Sequence, residues 1–94
     1  MFKEIAQKYP ELTSQQIHIL EIAQERPKLT IKDFCYQCKF NSKSGYWNIS
    51  KLVQMKLLTT AVDPGDRRQR LVYVDYEGIK LLQLLKQNLS NNNN

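Results

Sequence analysis

The stretch Asp63-Pro64-Gly65-Asp66-Arg67-Arg68-Gln69-Arg70 separates two runs of strand-forming residues. Before it lies the apolar run Leu57 to Val62, with threonines at its centre. After it comes Leu71-Val72-Tyr73-Val74, rich in β-branched and aromatic side chains. Two such runs around a Pro-Gly segment predict a β-hairpin with a longer loop. Pro64 presets φ and Gly65 tolerates φ > 0, so the pair supports a tight reversal. The tip carries three arginines within four residues, with Asp66 beside them. Guanidinium groups keep their charge and present a fork of donors, a chemistry suited to phosphates or to a narrow groove. A solvated charged turn accounts for the tip equally well, so the flanking chain has to decide.

Outward from the hairpin, charge is unevenly spread. The 94 residues carry a formal net charge of +5. Residues 39–70 hold Lys39, Lys43, Lys51, Lys56, Arg67, Arg68 and Arg70 against Asp63 and Asp66, and so account for all of it; residues 1–38 and 71–94 are each neutral. A basic segment between neutral ones is the footprint of a polyanion-binding face. Hydrophobic content of 41% and charged content of 24% suit a soluble chain with one small core. No apolar run approaches the ~20 residues of a membrane span, and Met1-Phe2-Lys3-Glu4 does not open a secretory signal. The expected setting is the cytoplasm, with no membrane partner.

The basic segment begins in a helical pattern. Asn41 or Ser42 caps a helix running to about Met55, in which Gly45, Ile49, Leu52 and Val53 share one face. Ser42, Lys43, Ser44, Tyr46, Trp47, Ser50 and Lys51 are left pointing largely outward. Exposed Tyr and Trp beside hydroxyls and lysines fit contact with phosphates, sugars and base edges. The competing expectation is that Trp47 folds back on the core or on a second copy. Just upstream, Thr30-Ile31-Lys32-Asp33 forms a capping box for a short helix to about Cys38. Two short helices joined by a tight link make a helix-turn-helix.

Further out, Thr13 and Gln16 form another capping box, starting a helix that carries Ile17, Leu20 and Ala23 or Gln24, with Ile19 and Ile22 widening the apolar side; Pro27 closes it. His18 lies off the stripe, as a surface or rim residue. Phe2, Ile5, Ala6 and Tyr9 mark a short amphipathic helix before Pro10. After the hairpin, Asp75 caps a last helix whose Ile79, Leu81, Leu82, Leu84, Leu85 and Leu89 exceed one narrow stripe and so suggest a second surface to bury. The expected fold is mainly α with a small two-stranded β-wing, a winged helix-turn-helix over residues 1–89. Residues 90–94, Ser90 and four asparagines, are expected to form a disordered tail.

Together the order of elements and the residues resemble the winged-helix core of the MarR family of bacterial transcription regulators. The resemblance is carried by Leu12-Thr13-x-Gln15-Gln16, Leu29-Thr30, Leu52-x5-Leu58 and, most specifically, Asp63-Pro64-x-Asp66-Arg67-Arg68 followed by Val74 and Gly78. It spans residues 12–82 without a gap. The resemblance implies that helix 42–55 enters the major groove of double-stranded DNA. It also implies that Arg68 sits at the wing near the minor groove, and that Asp66 orients a wing arginine by an ion pair. Against typical members the resemblance implies a shorter chain, expected to be without most of the long terminal helices that form their dimer. Gly45 and Asn48 stand where family members are usually apolar, and Asp75 where they usually have threonine.

Other chemistry finds little material. Cys35-x-x-Cys38 has no second cysteine pair, and His18 adds at most a third metal ligand. The two thiols are then structural residues, or a redox pair if one has a lowered pKa. One histidine and no Gly-rich phosphate loop leave no catalytic constellation, and no cofactor or metal is expected. The expected function is sequence-specific DNA binding by a homodimeric repressor through Ser42, Lys43, Ser44, Tyr46, Trp47, Ser50, Lys51, Arg67, Arg68 and Arg70. The alternatives are a protein-interaction winged helix and a plasmid or phage replication or partition factor. Whether a small-molecule effector exists is left open.

Overall fold

The computed structural model describes residues 2–92. Its elements are α1 (Phe2–Lys8), α2 (Ser14–Glu25), β1 (Leu29–Thr30), α3 (Ile31–Cys38), α4 (Ser42–Gln54), β2 (Leu58–Asp63), β3 (Asp66–Val74) and α5 (Tyr76–Asn92). The side chains of Phe2 and Leu89, both counted in the expected apolar stripes, lie outside the described residues, as do residues 93–94.

Polar caps decide where three helices begin. Thr13 Oγ1 accepts the Gln16 N–H and Gln16 Oε1 accepts the Thr13 N–H, each at 3.1 Å. Thr30 and Asp33 exchange the same two bonds at the start of α3. Asn41 Oδ1 takes the Ser44 N–H at 2.8 Å and so caps α4. Each cap satisfies donors that the first helical turn leaves free. At the far end, α5 continues through Ser90–Asn92, into the segment whose composition predicts disorder. Once a helix is established, adding residues needs no new nucleus.

The sheet has the order β1-β3-β2, with both pairings antiparallel. The expected two-stranded wing is present as β2 and β3, and a short third strand joins its sheet: Leu29 pairs with Val72 and Thr30 with Leu71. A two-residue strand offers no alternation to read in sequence. Between β2 and β3 the register runs from Leu58↔Val74 to Val62↔Arg70 and then jumps to Asp63↔Asp66. Arg67, Arg68 and Gln69 therefore form a bulge on β3 with no partners on β2. The reversal also differs from expectation, because no described glycine has a positive φ. Asp63 Oδ1 instead accepts the Gly65 N–H at 2.9 Å, an Asx-turn that closes the tip from the side chain.

A single hydrophobic cluster takes in Ile5, Leu20, Phe34, Ile49, Leu52, Leu57, Val72 and Leu81, among others. Complete burial of one such large side chain contributes about 1.5–3 kcal/mol. Several stripes sit one step round from their expected positions. On α2 the buried residues are Gln16, Ile19, Leu20 and Ala23, while Ile17 is half-buried. On α4 they are Gly45, Asn48, Ile49 and Leu52, and Val53 is exposed. Ala6 and Ile79 are exposed as well. Adjacent helical residues differ by about 100° around the axis, so centring the α4 stripe between Asn48 and Leu52 turns Val53 outward.

Two glycines are required by close approach. A Cβ at Gly45 would collide with Cys35 Sγ, so α3 and α4 cross where one of them has no side chain. At Gly78 a Cβ would run into the Leu57 carbonyl oxygen and Val74 Cγ1. That carbonyl already accepts the Asp75 N–H at 3.0 Å, which ties the start of α5 to the end of the α4–β2 connection. Gly78→Ala is expected to lower stability by about 1–3 kcal/mol, the usual cost of overpacking. The urea midpoint should fall with an unchanged m-value.

Candidate nucleic-acid interface

The recognition-helix candidate α4 is polar where an ordinary amphipathic helix is not, and aromatic where it faces solvent. Tyr46 and Trp47 are more than half exposed, Trp47 at 56%. Trp47 does not fold back on the core of its own chain. Lys51 Nζ lies 5.4 Å from the centroid of its ring, one turn along the helix. A cation held over an indole makes a flat, positively charged platform. Ser42, Lys43 and Ser50 are exposed, and Ser44 is half-buried with its amide already taken by the Asn41 cap.

On the wing, the bulge is organised by one carboxylate. Asp66 Oδ1 accepts from both the backbone N–H and Nε of Arg68 at 3.1 Å. Asp66 Oδ2 accepts from Arg68 Nη2 at 3.4 Å and from Gln69 Nε2 at 3.3 Å. The implied ion pair between Asp66 and a wing arginine is present, and it does not bury the arginine: the Arg68 side chain stays 90% exposed. The Arg68 hydrogen bonds hold the Asp66 carboxyl below its ordinary value of 3.8. Arg70 Nη1 donates to Thr60 Oγ1 across the hairpin at 3.3 Å, and Arg67 is exposed.

The helix and the wing meet at a cleft of about 400 Å³. Thr30 and Lys32 from the start of α3, Tyr46 from α4, and Arg68, Gln69 and Arg70 from β3 line it. Lys32, Arg68 and Arg70 give the lining three cations, with Asp66 paired to Arg68 beside it, so the balance is positive. Of the expected residues the cleft brings together Tyr46, Arg68 and Arg70, whereas Ser42, Lys43, Ser44, Trp47, Ser50, Lys51 and Arg67 lie outside its lining. Lys32 and Gln69 escaped the sequence reading. Lys32 belongs to a segment of zero net charge, and the pairing of β1 with β3 helps carry the start of α3 to the wing.

The cysteines separate from this face. Both are free and half-buried. Burial, and secondarily the neighbouring Cys35, pushes the Cys38 thiol above its ordinary 9.0, the opposite of what a redox-sensing thiolate needs. Among the described residues no group of three His, Cys, Asp or Glu side chains is placed to hold a metal. No described helix is long and apolar enough to cross a membrane.

This architecture is a winged helix-turn-helix, and its particular form is MarR-like. The solved structure of MepR from S. aureus, a complex with DNA, superposes with a TM-score of 0.82 at 23% identity, covering 97% of this chain and 77% of that one. PcaV, a transcriptional regulator from Streptomyces coelicolor, gives 0.79 at 24% identity over 89% of this chain and 62% of its own. MarR itself gives 0.78 at 16% identity over 88% of this chain. The chain spans 58% of the length of MarR. No protein-family model matches the sequence, and no curated protein matches it.

Two outcomes are expected of these groups. A depressed carboxylate pKa means that the Asp66–Arg68 restraint is intact above the ordinary value and is lost as pH falls through the lowered one. NMR titration at Asp66 Cγ should give a midpoint below 3.8, with Arg68 Nε released over the same range. Alkylation by iodoacetamide at neutral pH, followed over time by peptide mass, should modify Cys38 more slowly than free cysteine, since the thiolate is the attacking species.

Proposed function

We propose that this chain is a MarR-like regulator that binds double-stranded DNA sequence-specifically as a homodimer and represses transcription by covering a promoter. The observation that carries this reading is the positive cleft shared by the recognition helix and the wing, lined by Tyr46 from the helix and by Arg68 and Arg70 from the wing. Its geometry suits a duplex laid across both elements. In this reading α4 enters the major groove, where Tyr46, Trp47, Ser50 and Lys51 meet base edges and sugars. Ser42, Lys43 and Ser44 approach phosphates at the start of the helix. Arg67, Arg68 and Arg70 take the flanking backbone or the minor groove, where a narrow, negative channel attracts guanidinium groups. Lys32 adds a phosphate contact from α3. The similarly folded MepR, solved as a complex with DNA, supports DNA as the ligand. Two copies related by a two-fold axis would present α4 to half-sites about 34 Å apart.

Arg68→Ala and Lys51→Ala should each weaken binding to duplex DNA. Each should also reduce the log–log salt slope by about one for every phosphate contact removed. Fluorescence anisotropy with a labelled duplex over a range of salt concentrations reads both quantities. Slopes unchanged in both variants would count against the interface. Salt-insensitive capture of a protein, with no DNA retention, would favour a protein-assembly role instead.

A further inference from the structure

We infer that Gln16 and Asn48 form a buried amide relay that sets the rotation of α4 about its own axis, making them positioning residues for the DNA-reading face. The inference rests on the DNA-binding reading above. Gln16 is 2% exposed and Asn48 is 8% exposed, the two buried polar residues among those described. The relay begins at the N-terminus of α2, where the Thr13 N–H donates to Gln16 Oε1 at 3.1 Å. Gln16 Nε2 donates to Asn48 Oδ1 at 3.3 Å. Asn48 Nδ2 then donates to the Ser44 carbonyl at 2.9 Å, one turn back along α4.

The direction of this relay is determined by its ends. A backbone N–H at Thr13 can only donate, so the Gln16 oxygen must face it and the Gln16 amide nitrogen must face Asn48. A backbone carbonyl at Ser44 can only accept, so the Asn48 nitrogen must face it and the Asn48 oxygen must face Gln16. Neither amide can flip without setting like groups against each other. Packing of Ile49 and Leu52 is non-directional and tolerates small rotations, whereas a hydrogen bond of this length weakens steeply when misaligned. A rotation of α4 by one residue step would remove Asn48 from Gln16 and exchange the outward set Tyr46, Trp47 and Ser50 for a different one. Asn48, in the middle of the helix proposed to read bases, thus has its amide committed to the interior.

The test compares affinity, salt slope and discrimination. The probes are a duplex selected by the wild-type chain from a randomised library, and calf-thymus DNA. Gln16→Leu and Asn48→Leu should each lower the Tm, because each leaves the other amide unsatisfied. The double variant Gln16→Leu/Asn48→Leu should recover most of that loss, since both polar groups are removed together. It should keep the wild-type salt slope and lose about tenfold in discrimination between the two DNAs, the scale of one good base contact. Wild-type discrimination in the folded double variant would overturn the inference. A second measurement needs no variant: in the wild-type chain the side-chain NH₂ protons of Gln16 and Asn48 should exchange with solvent much more slowly than those of the exposed Gln7 and Gln87. Fast exchange at both would overturn the relay. Failure of the wild-type chain to bind either DNA in a salt-dependent way would instead remove the DNA reading and leave the exchange result standing.

Discussion

Pairing along both edges of β3 is the constraint on which the rest of the geometry hangs. Val72 is fully buried, with Leu29 opposite it on one side and Thr60 on the other. Leu29 leads directly into the Thr30 cap of α3, so the start of the helix-turn-helix is hydrogen-bonded to the strand whose other end becomes the wing. The relation between wing and helices is therefore fixed in the interior, near Val72, where water does not compete for the backbone bonds. The tip can then depart from regular pairing without moving its base.

That freedom is used at Arg67, Arg68 and Gln69. A bulge of unpaired residues leaves backbone groups without partners, and at an exposed tip such a segment is easily disordered. Asp66 supplies the missing order from a side chain: its two oxygens accept four hydrogen bonds from Arg68 and Gln69. All of these groups face solvent, so the ion pair adds little to folding stability. Its effect is geometric, holding one guanidinium outward at the edge of the cleft that it shares with Tyr46.

The helix across that cleft shows the same division between stability and presentation. Its aromatic residues Tyr46 and Trp47 are turned to solvent, while Asn48 is buried. Taken alone this pattern costs stability on both sides of the helix, and it is tolerated because the buried Asn48 amide accepts from Gln16 and donates to the Ser44 carbonyl. Gly45 leaves room for Cys35 of α3 against α4, and Lys51 settles over the Trp47 ring. Each departure from the usual amphipathic pattern is thus met by a specific neighbour.

What the amino-acid order determined by itself is what short-range chemistry can settle. The capping boxes at Thr13 and Thr30 and the cap at Asn41 involve residues three apart, and the hairpin follows from strand-forming runs either side of Asp63–Arg70. Helix boundaries and the wing were accordingly legible, as was the gathering of basic residues between 39 and 70. What only the tertiary structure decided involves partners far apart in the chain. β1 exists because Leu29 and Thr30 find β3, Lys32 joins the basic cleft because that pairing carries it there, and Asn48 turns inward because Gln16 lies opposite it. The rotation of each stripe, which exposed Val53 and Ile79, was settled in the same way. Periodicity marks an apolar side only to within about one residue step, and the neighbouring elements that resolve the step are brought together only by the fold.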